Sequence, residues 1–255
     1  MRLVRSILLL VCCGGAWACN LTVAYSDTAA PPYLVGDGAT VPDQPGIAVE
    51  LVNLAAAAIQ CKVSWERLPG RRVLRAVEYG EVDAMLMFSY SEERAAYAVY
   101  PMLDGKPDSR LRLAALQYHV YTVTGSPLTW DGKQFAPPPG VLGVNSGYSV
   151  GVDLRKAGFT VEEARTTEQN LQKLRLKRIA AYVMQDAPAD LAIETQGIQD
   201  VRKLPIPYSS KDYFLPFSKI SYVQTPGLAE RLWESIAKVR RTHIKALLHK
   251  YSDTP

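Results

Sequence analysis

Apolar positions along the chain follow two rhythms that alternate. Residues 21–25 and 63–68 read as strands, and residues 83–88 form the apolar run expected of a strand covered on both faces. Between them, Ile47, Leu51, Leu54 and Ala58 recur every three to four positions, the mark of a helix, here opened by Gly46. A second, shorter helix over residues 71–78 carries Val73, Leu74 and Val77, and Gly80 ends it. Residues 26–45 are a loop rich in Pro, Gly and Asp. The strand–helix–strand–helix–strand order predicts a parallel sheet with right-handed crossovers.

The same order returns further on. Residues 111–124 alternate and read as a long extended segment, and a loop over 125–140 contains Pro137, Pro138 and Pro139. A strand at 141–144 runs through a turn, 145–149, into a helix at 150–157. A strand at 159–164, a helix capped by Thr167 and running through Leu176, and a strand at 179–184 follow, then the apolar triplet Leu191, Ala192 and Ile193. The two halves show no close sequence repeat. Residues 213–224 read as extended, and Pro226 and Gly227 begin a long helix with Leu228, Leu232, Ile236, Val239, Ile244 and Leu247 on one stripe. That helix is expected to pack on the first unit, with Lys238, Arg240, Arg241 and Lys245 on a solvated face.

The first eighteen residues stand apart. Arg2 and Arg5 precede an apolar stretch at 7–13, and Ala16-Trp17-Ala18 supplies a small-x-small ending, the pattern of a secretory signal peptide over 1–18. Cleavage there would remove Cys12 and Cys13 and leave Cys19 and Cys61, a pair suited to an oxidising, periplasmic setting. Each lies just before a strand of the first unit. If those strands are parallel neighbours, both cysteines fall at one sheet edge, so a disulfide is expected. The competing reading makes Cys19 the lipidated first residue of a lipoprotein, although Trp17 is bulky for that signal.

Composition narrows the classes. The chain of 255 residues is 48% hydrophobic and 21% charged, an ordinary globular balance, and its formal charge of +4 is too small for a nucleic-acid binder. There is no P-loop, no dinucleotide-binding glycine fingerprint, no G-x-S-x-G and no C-x-x-C zinc pattern. His119, His243 and His249 do not have metal-ligand spacing, so neither metal nor cofactor is expected.

Four blocks, in this order, resemble the extracellular solute-binding proteins of family 3, the substrate-binding proteins of amino-acid ABC transporters. They are Gly46-Ile47-Ala48-Val49-Glu50-Leu51; Gly80-Glu81-Val82-Asp83-Ala84; Ser89-Tyr90-Ser91-Glu92-Glu93-Arg94 with the later Tyr100-Pro101; and Ser146-Gly147-Tyr148-Ser149. The block from Tyr213-Phe214 onward also matches, so the resemblance covers about residues 20–250. It implies an α/β, two-lobed periplasmic-binding-protein-like fold of type II, each lobe a mostly parallel sheet flanked by helices, joined by two crossing strands. Lobe 1 would be 19–112 plus 212–255 and lobe 2 would be 113–211. It further implies a monomeric, non-enzymatic periplasmic protein that delivers an amino acid or derivative to a membrane permease. Two other functions use the same fold: a sensory protein signalling to a membrane receptor, and a cyclohexadienyl-dehydratase-like enzyme.

Ligands of open parallel sheets sit beyond the carboxyl ends of the strands. Ser89, Tyr90, Ser91 and Arg94 follow the third strand, and the guanidinium fork of Arg94 suits a carboxylate in two-point fashion. The resemblance gives Arg94 the ligand's α-carboxylate; pairing with Glu92 or Glu93 is the plain alternative. Tyr148 and Ser149 open a helix whose first N–H groups favour an anion, or else serve only as its cap. Where the family carries a carboxylate for the ligand's amino group, this chain has Gln185, with Asp186 next. That departure leaves two readings: Asp186 takes the role, or the ligand lacks an amino group. Asp27 and Tyr33, in the first loop, complete the candidate set.

Overall fold

The computed structural model describes residues 19–252, so the leader read at 1–18 lies outside the described residues. One sheet has five strands in the order Cys61–Leu68, Cys19–Ser26, Ala84–Met85, Phe217–Ser218, Ala98–Val99. The first three are parallel, and the last two join antiparallel. Helix Ile47–Ala58 buries Ile47, Ala48, Val49, Leu51, Val52, Ala55 and Ala56 on one face of this sheet with Val23 and Tyr25, and helix Gly70–Glu78 packs Val73, Ala76 and Val77 on the other face with Ala24, so these three strand residues have no exposed surface. The long helix Leu228–Ser252 lies along it, as expected. Leu232, Trp233 and Ile236 join the same core, Ser235 Oγ donates to the Ala55 carbonyl (2.8 Å), and the Gly46 N–H donates to Tyr251 Oη (3.0 Å). Cys19 and Cys61 face each other in the parallel register and are disulfide-bonded, with Cα atoms 4.5 Å apart. That bond occupies the sulfur that lipidation would need.

The second sheet is mixed rather than mostly parallel. Val161–Ala164, Leu142–Asn145 and Ala181–Gln185 are parallel, while the long strand Ala114–Val123 runs antiparallel to Ala181–Gln185, Val201–Lys203 and Ser209–Phe214. Ala114–Val123 and Ser209–Phe214 are the two strands that cross between the lobes. No helix among the described residues is long and apolar enough to cross a membrane.

Several elements differ from the sequence reading. Residues 83–88 do not form one strand. Ala84–Met85 pairs in the first sheet and Phe88–Ser89 pairs with Ser209–Phe214 in the second, because Met87 adopts a left-handed backbone (φ 63°) that turns the chain from one sheet to the other. Residues 213–224 likewise do not stay extended. The chain returns through Phe217–Ser218, and Ser218 then caps the short helix Lys219–Gln224. Thr166, not Thr167, caps helix Thr167–Arg175: its Oγ1 accepts from the Gln169 N–H while the Gln169 side chain accepts from the Thr166 N–H. Leu191, Ala192 and Ile193 lie in helix Asp186–Thr195.

Candidate functional site

The turn at Met87 carries the chain straight into the space between the lobes. A cavity of about 50 Å³ lies there, walled from one lobe by the first loop, Met87, Ser89 and Arg94, and from the other by Gly147, Tyr148, Ser149 and Gln185. Much of its wall is apolar, with Leu34, Leu86, Met87, Leu116 and Pro188 contributing.

Arg94 is only 5% exposed. It sits in helix Glu92–Ala95, whose cap, Ser91 Oγ, accepts from the Arg94 N–H, so the side chain leaves from a fixed turn. Its guanidinium lies 5.1 Å from the centre of the Phe88 ring. Nη1 donates to the Ser89 carbonyl (2.7 Å) and to Ser89 Oγ (3.2 Å), and Nη2 crosses the cleft to the Gly147 carbonyl (2.8 Å). None of its hydrogen-bond partners among the described residues is a carboxylate, so the expected alternative of pairing with Glu92 or Glu93 is not what forms.

Ser89 Oγ and Ser149 Oγ meet across the cleft at 2.8 Å. Lys211 Nζ, from a crossing strand, donates to Ser149 Oγ (2.8 Å) and pairs with Asp153. Burial lowers the Lys211 pKa, and the Asp153 carboxylate opposes that shift. The two hydroxyls are thus flanked by two cations, in the order Arg94, Ser89, Ser149, Lys211. Behind them, Gln185 Nε2 donates to Tyr213 Oη (2.6 Å), which shares a 2.5 Å hydrogen bond with Tyr118 Oη. Burial pushes the hydroxyl pKa values of Tyr118, Tyr148 and Tyr213 upward, so all three are neutral hydrogen-bonding groups near neutral pH.

Of the candidates read from sequence, Tyr33, Ser89, Arg94, Tyr148, Ser149, Gln185 and Asp186 line this cavity together. Asp186 is half-buried at the start of its helix, and its Oδ1 accepts from the Ala187 N–H (2.9 Å). Asp27, Tyr90 and Ser91 are placed elsewhere. The Asp27 carboxylate pairs with Arg165 of the opposite lobe (2.7 Å), Tyr90 packs edge-on against Tyr100 with ring centres 5.4 Å apart, and Ser91 borders a neighbouring hollow. Sequence reasoning missed Tyr118, Tyr213 and Met87. The alternation over 111–124 hinted that Tyr118 faces inward, but only long-range pairing brings Tyr118 and Tyr213 to the cavity.

The cleft is also joined at its rim. Arg71 Nη2 reaches Glu163 (2.7 Å) and Arg71 Nε donates to Ser146 Oγ (2.9 Å), while Arg155 holds the other Glu163 oxygen (2.7 Å). Burial alone would raise the Glu163 pKa. The hydrogen bonds from Arg71 and Arg155 prevail and hold it at about 2, against an ordinary 4.5. Among the described residues no group of His, Cys, Asp and Glu side chains is placed to hold a metal ion.

A cavity shut between two sheet-based lobes that two strands connect is an architecture that solved structures share. The chain has the two-lobed periplasmic-binding-protein fold. The ligand-binding core of GluR0 from Nostoc punctiforme, in complex with L-glutamate, superposes with a TM-score of 0.71 at 15% identity over 92% of this chain and 100% of its own. A periplasmic binding protein of an arginine transport system from Legionella pneumophila gives 0.71 at 14% identity over 91% and 99%. A histidine kinase sensor domain similar to periplasmic binding proteins gives 0.72 at 17% identity over 92% and 96%. No family profile and no curated protein sequence matches the chain. At these identities the likeness establishes the fold alone.

Proposed function

We propose that this chain is an exported, periplasmic solute-binding protein that captures a small carboxylate-bearing solute, an amino acid or a derivative of one, and delivers it to an ABC-transporter permease. The observation that carries the reading is Arg94, a buried guanidinium on the floor of an inter-lobe cavity that is bonded to the backbone of the opposite lobe. Such a group favours an anion, and it does so best when the lobes are together. Lobe 1 is 19–112 with 212–255, lobe 2 is 113–211, and closure turns on the two crossing strands. Ligand contacts from both lobes favour the closed form over the open one. The protein works as a monomer and as a binder rather than an enzyme.

A sensory role is the second reading, favoured by the likeness to a kinase sensor domain. It uses the same capture step and differs only in the membrane partner. Calorimetry of the purified protein against amino acids, oxo acids and dicarboxylates tests capture, with mass detection of products to expose turnover. Binding without turnover, accompanied by a fall in radius of gyration in solution scattering, is the expected result. No heat with any carboxylate, or conversion of the one that binds, would overturn the reading.

A further inference from the structure

The charges around the cavity are unevenly committed. On the rim, Asp27 is taken by Arg165 and Glu163 by Arg71 and Arg155. Behind the floor, Asp153 is taken by Lys211. Asp186 sits half-buried at the start of its helix with one oxygen on a backbone N–H. The inner end is different: Arg94 is cationic, Lys211 stands behind Ser149, and the remaining polar groups are hydroxyls and the Gln185 amide. Lys211 and Arg94 both donate to the serine pair, so those two hydroxyl oxygens already receive hydrogen bonds from cations. One serine hydrogen lies between the two oxygens, and the other can turn to a ligand or to Tyr213 Oη, which Ser89 also reaches.

The tyrosine pair has the same property. Gln185 Nε2 donates to Tyr213 Oη, and Tyr213 and Tyr118 share one hydroxyl hydrogen between them. The second hydroxyl hydrogen is then available to a neutral acceptor. An ammonium at this depth would meet the Gln185 carbonyl oxygen as a neutral acceptor and Arg94 as a like charge, and the one carboxylate in the cavity lining, Asp186, already has Oδ1 committed to the Ala187 N–H at the start of its helix. Burying a charge without a countercharge is strongly unfavourable.

We infer that this site selects short-chain monocarboxylates whose carbon next to the carboxylate carries a neutral oxygen rather than an ammonium, of which 2-oxo acids are the type. The inference rests on the capture reading above and narrows its ligand. The carboxylate lies against Arg94, Ser89 and Ser149, the 2-oxygen accepts from the Tyr118–Tyr213 pair, and a short apolar tail meets Met87 and Leu116. Short tails follow from the small size of the cavity, about 50 Å³ between the lobes.

The test is calorimetry of the purified protein with pyruvate and 3-methyl-2-oxobutanoate, each beside the amino acid of the same skeleton, L-alanine and L-valine. The oxo acids are expected to bind at least about tenfold more tightly than their amino partners. Gln185→Glu, which supplies a carboxylate, should narrow or reverse that ratio, and a thermal melt checks that the variant folds. If it does not fold, the wild-type ratio decides alone. Equal or tighter binding of the amino acids overturns the inference and leaves the capture reading intact, and loss of that binding in Asp186→Asn would identify the acid responsible. Heat from none of these four ligands, with binding of a different carboxylate, also overturns the inference alone. Silence across every carboxylate, including acidic and basic amino acids, overturns both.

Discussion

Replacing Arg71 by Ala removes a contact that exists only when the lobes are together. Arg71 stands on helix Gly70–Glu78 of one lobe and reaches Glu163 (2.7 Å) and Ser146 Oγ (2.9 Å) on the other. Its side chain is 69% exposed, which places the ion pair in the weak class, about 0.5–1 kcal/mol. The hydrogen bond to Ser146 adds about 0.5–1 kcal/mol. Glu163 keeps Arg155 after the change, so no carboxylate is left without a partner and no orphan penalty enters. The loss therefore sums to about 1–2 kcal/mol, a factor of roughly 5–30. If the open form predominates without ligand, that factor passes in full into the apparent ligand affinity. Calorimetry on wild type and Arg71→Ala measures it, and the variant should lose affinity mainly through a faster off-rate. The salt dependence is a second reading: between about 0.01 and 1 M salt the Debye length falls from about 30 to 3 Å, so wild-type affinity should fall more steeply than that of the variant. Affinities that agree within about twofold, with parallel salt slopes, would refute the idea that this contact belongs to closure.

Three further outcomes follow from the same contacts. Breaking the disulfide by Cys61→Ala releases a loop with a sequence separation of 42, for which chain entropy gives a loss of about 4 kcal/mol; denaturant unfolding with and without reductant checks it. Gly46→Ala should unfold the protein or strongly lower its Tm in a thermal melt, because Gly46 has φ 107° and an added Cβ would run into the Tyr33 backbone, displacing the loop that walls the cavity. The Glu163 pKa is depressed from 4.5 to about 2, so its contribution to closure is fully present above about pH 4.5 and fades as pH falls towards 2. Affinity measured on a pH series should decline across that window less steeply in Glu163→Gln than in wild type.

Much of the scaffold could be read from the chain because local pattern and global fold agree there. The apolar stripe of helix Ile47–Ala58, the long helix Leu228–Ser252 and the cysteine pair at one sheet edge each follow from residues close in sequence or from simple strand order. Arg94, Ser89, Ser149 and Gln185 were readable as candidates because each follows a predicted strand or opens a predicted helix. What escaped depends on long-range register. The left-handed turn at Met87 has no local signal, since methionine gives no hint of a positive φ. The Tyr118–Tyr213 pair forms only because Ala114–Val123 and Ser209–Phe214 lie side by side, 95 residues apart in sequence. The rim pairs Arg71–Glu163 and Arg165–Asp27 join residues of opposite lobes, which no periodicity reports. Asp27 in particular has the residue type of a ligand contact, and its partner turns out to be an arginine of the same chain.

The account depends on the Arg94 guanidinium gripping an anion inside the cleft, and the affinity of Arg94→Ala for the carboxylate that wild type binds tests this most directly. Hydrogen bonds to charged groups are worth about 1.5–3 kcal/mol each, so losing a two-point grip predicts a fall in affinity of more than about 100-fold, with Arg94→Lys between the two. A thermal melt confirms that the compared proteins are folded. A folded Arg94→Ala protein that binds the same carboxylate as tightly as wild type would contradict the account.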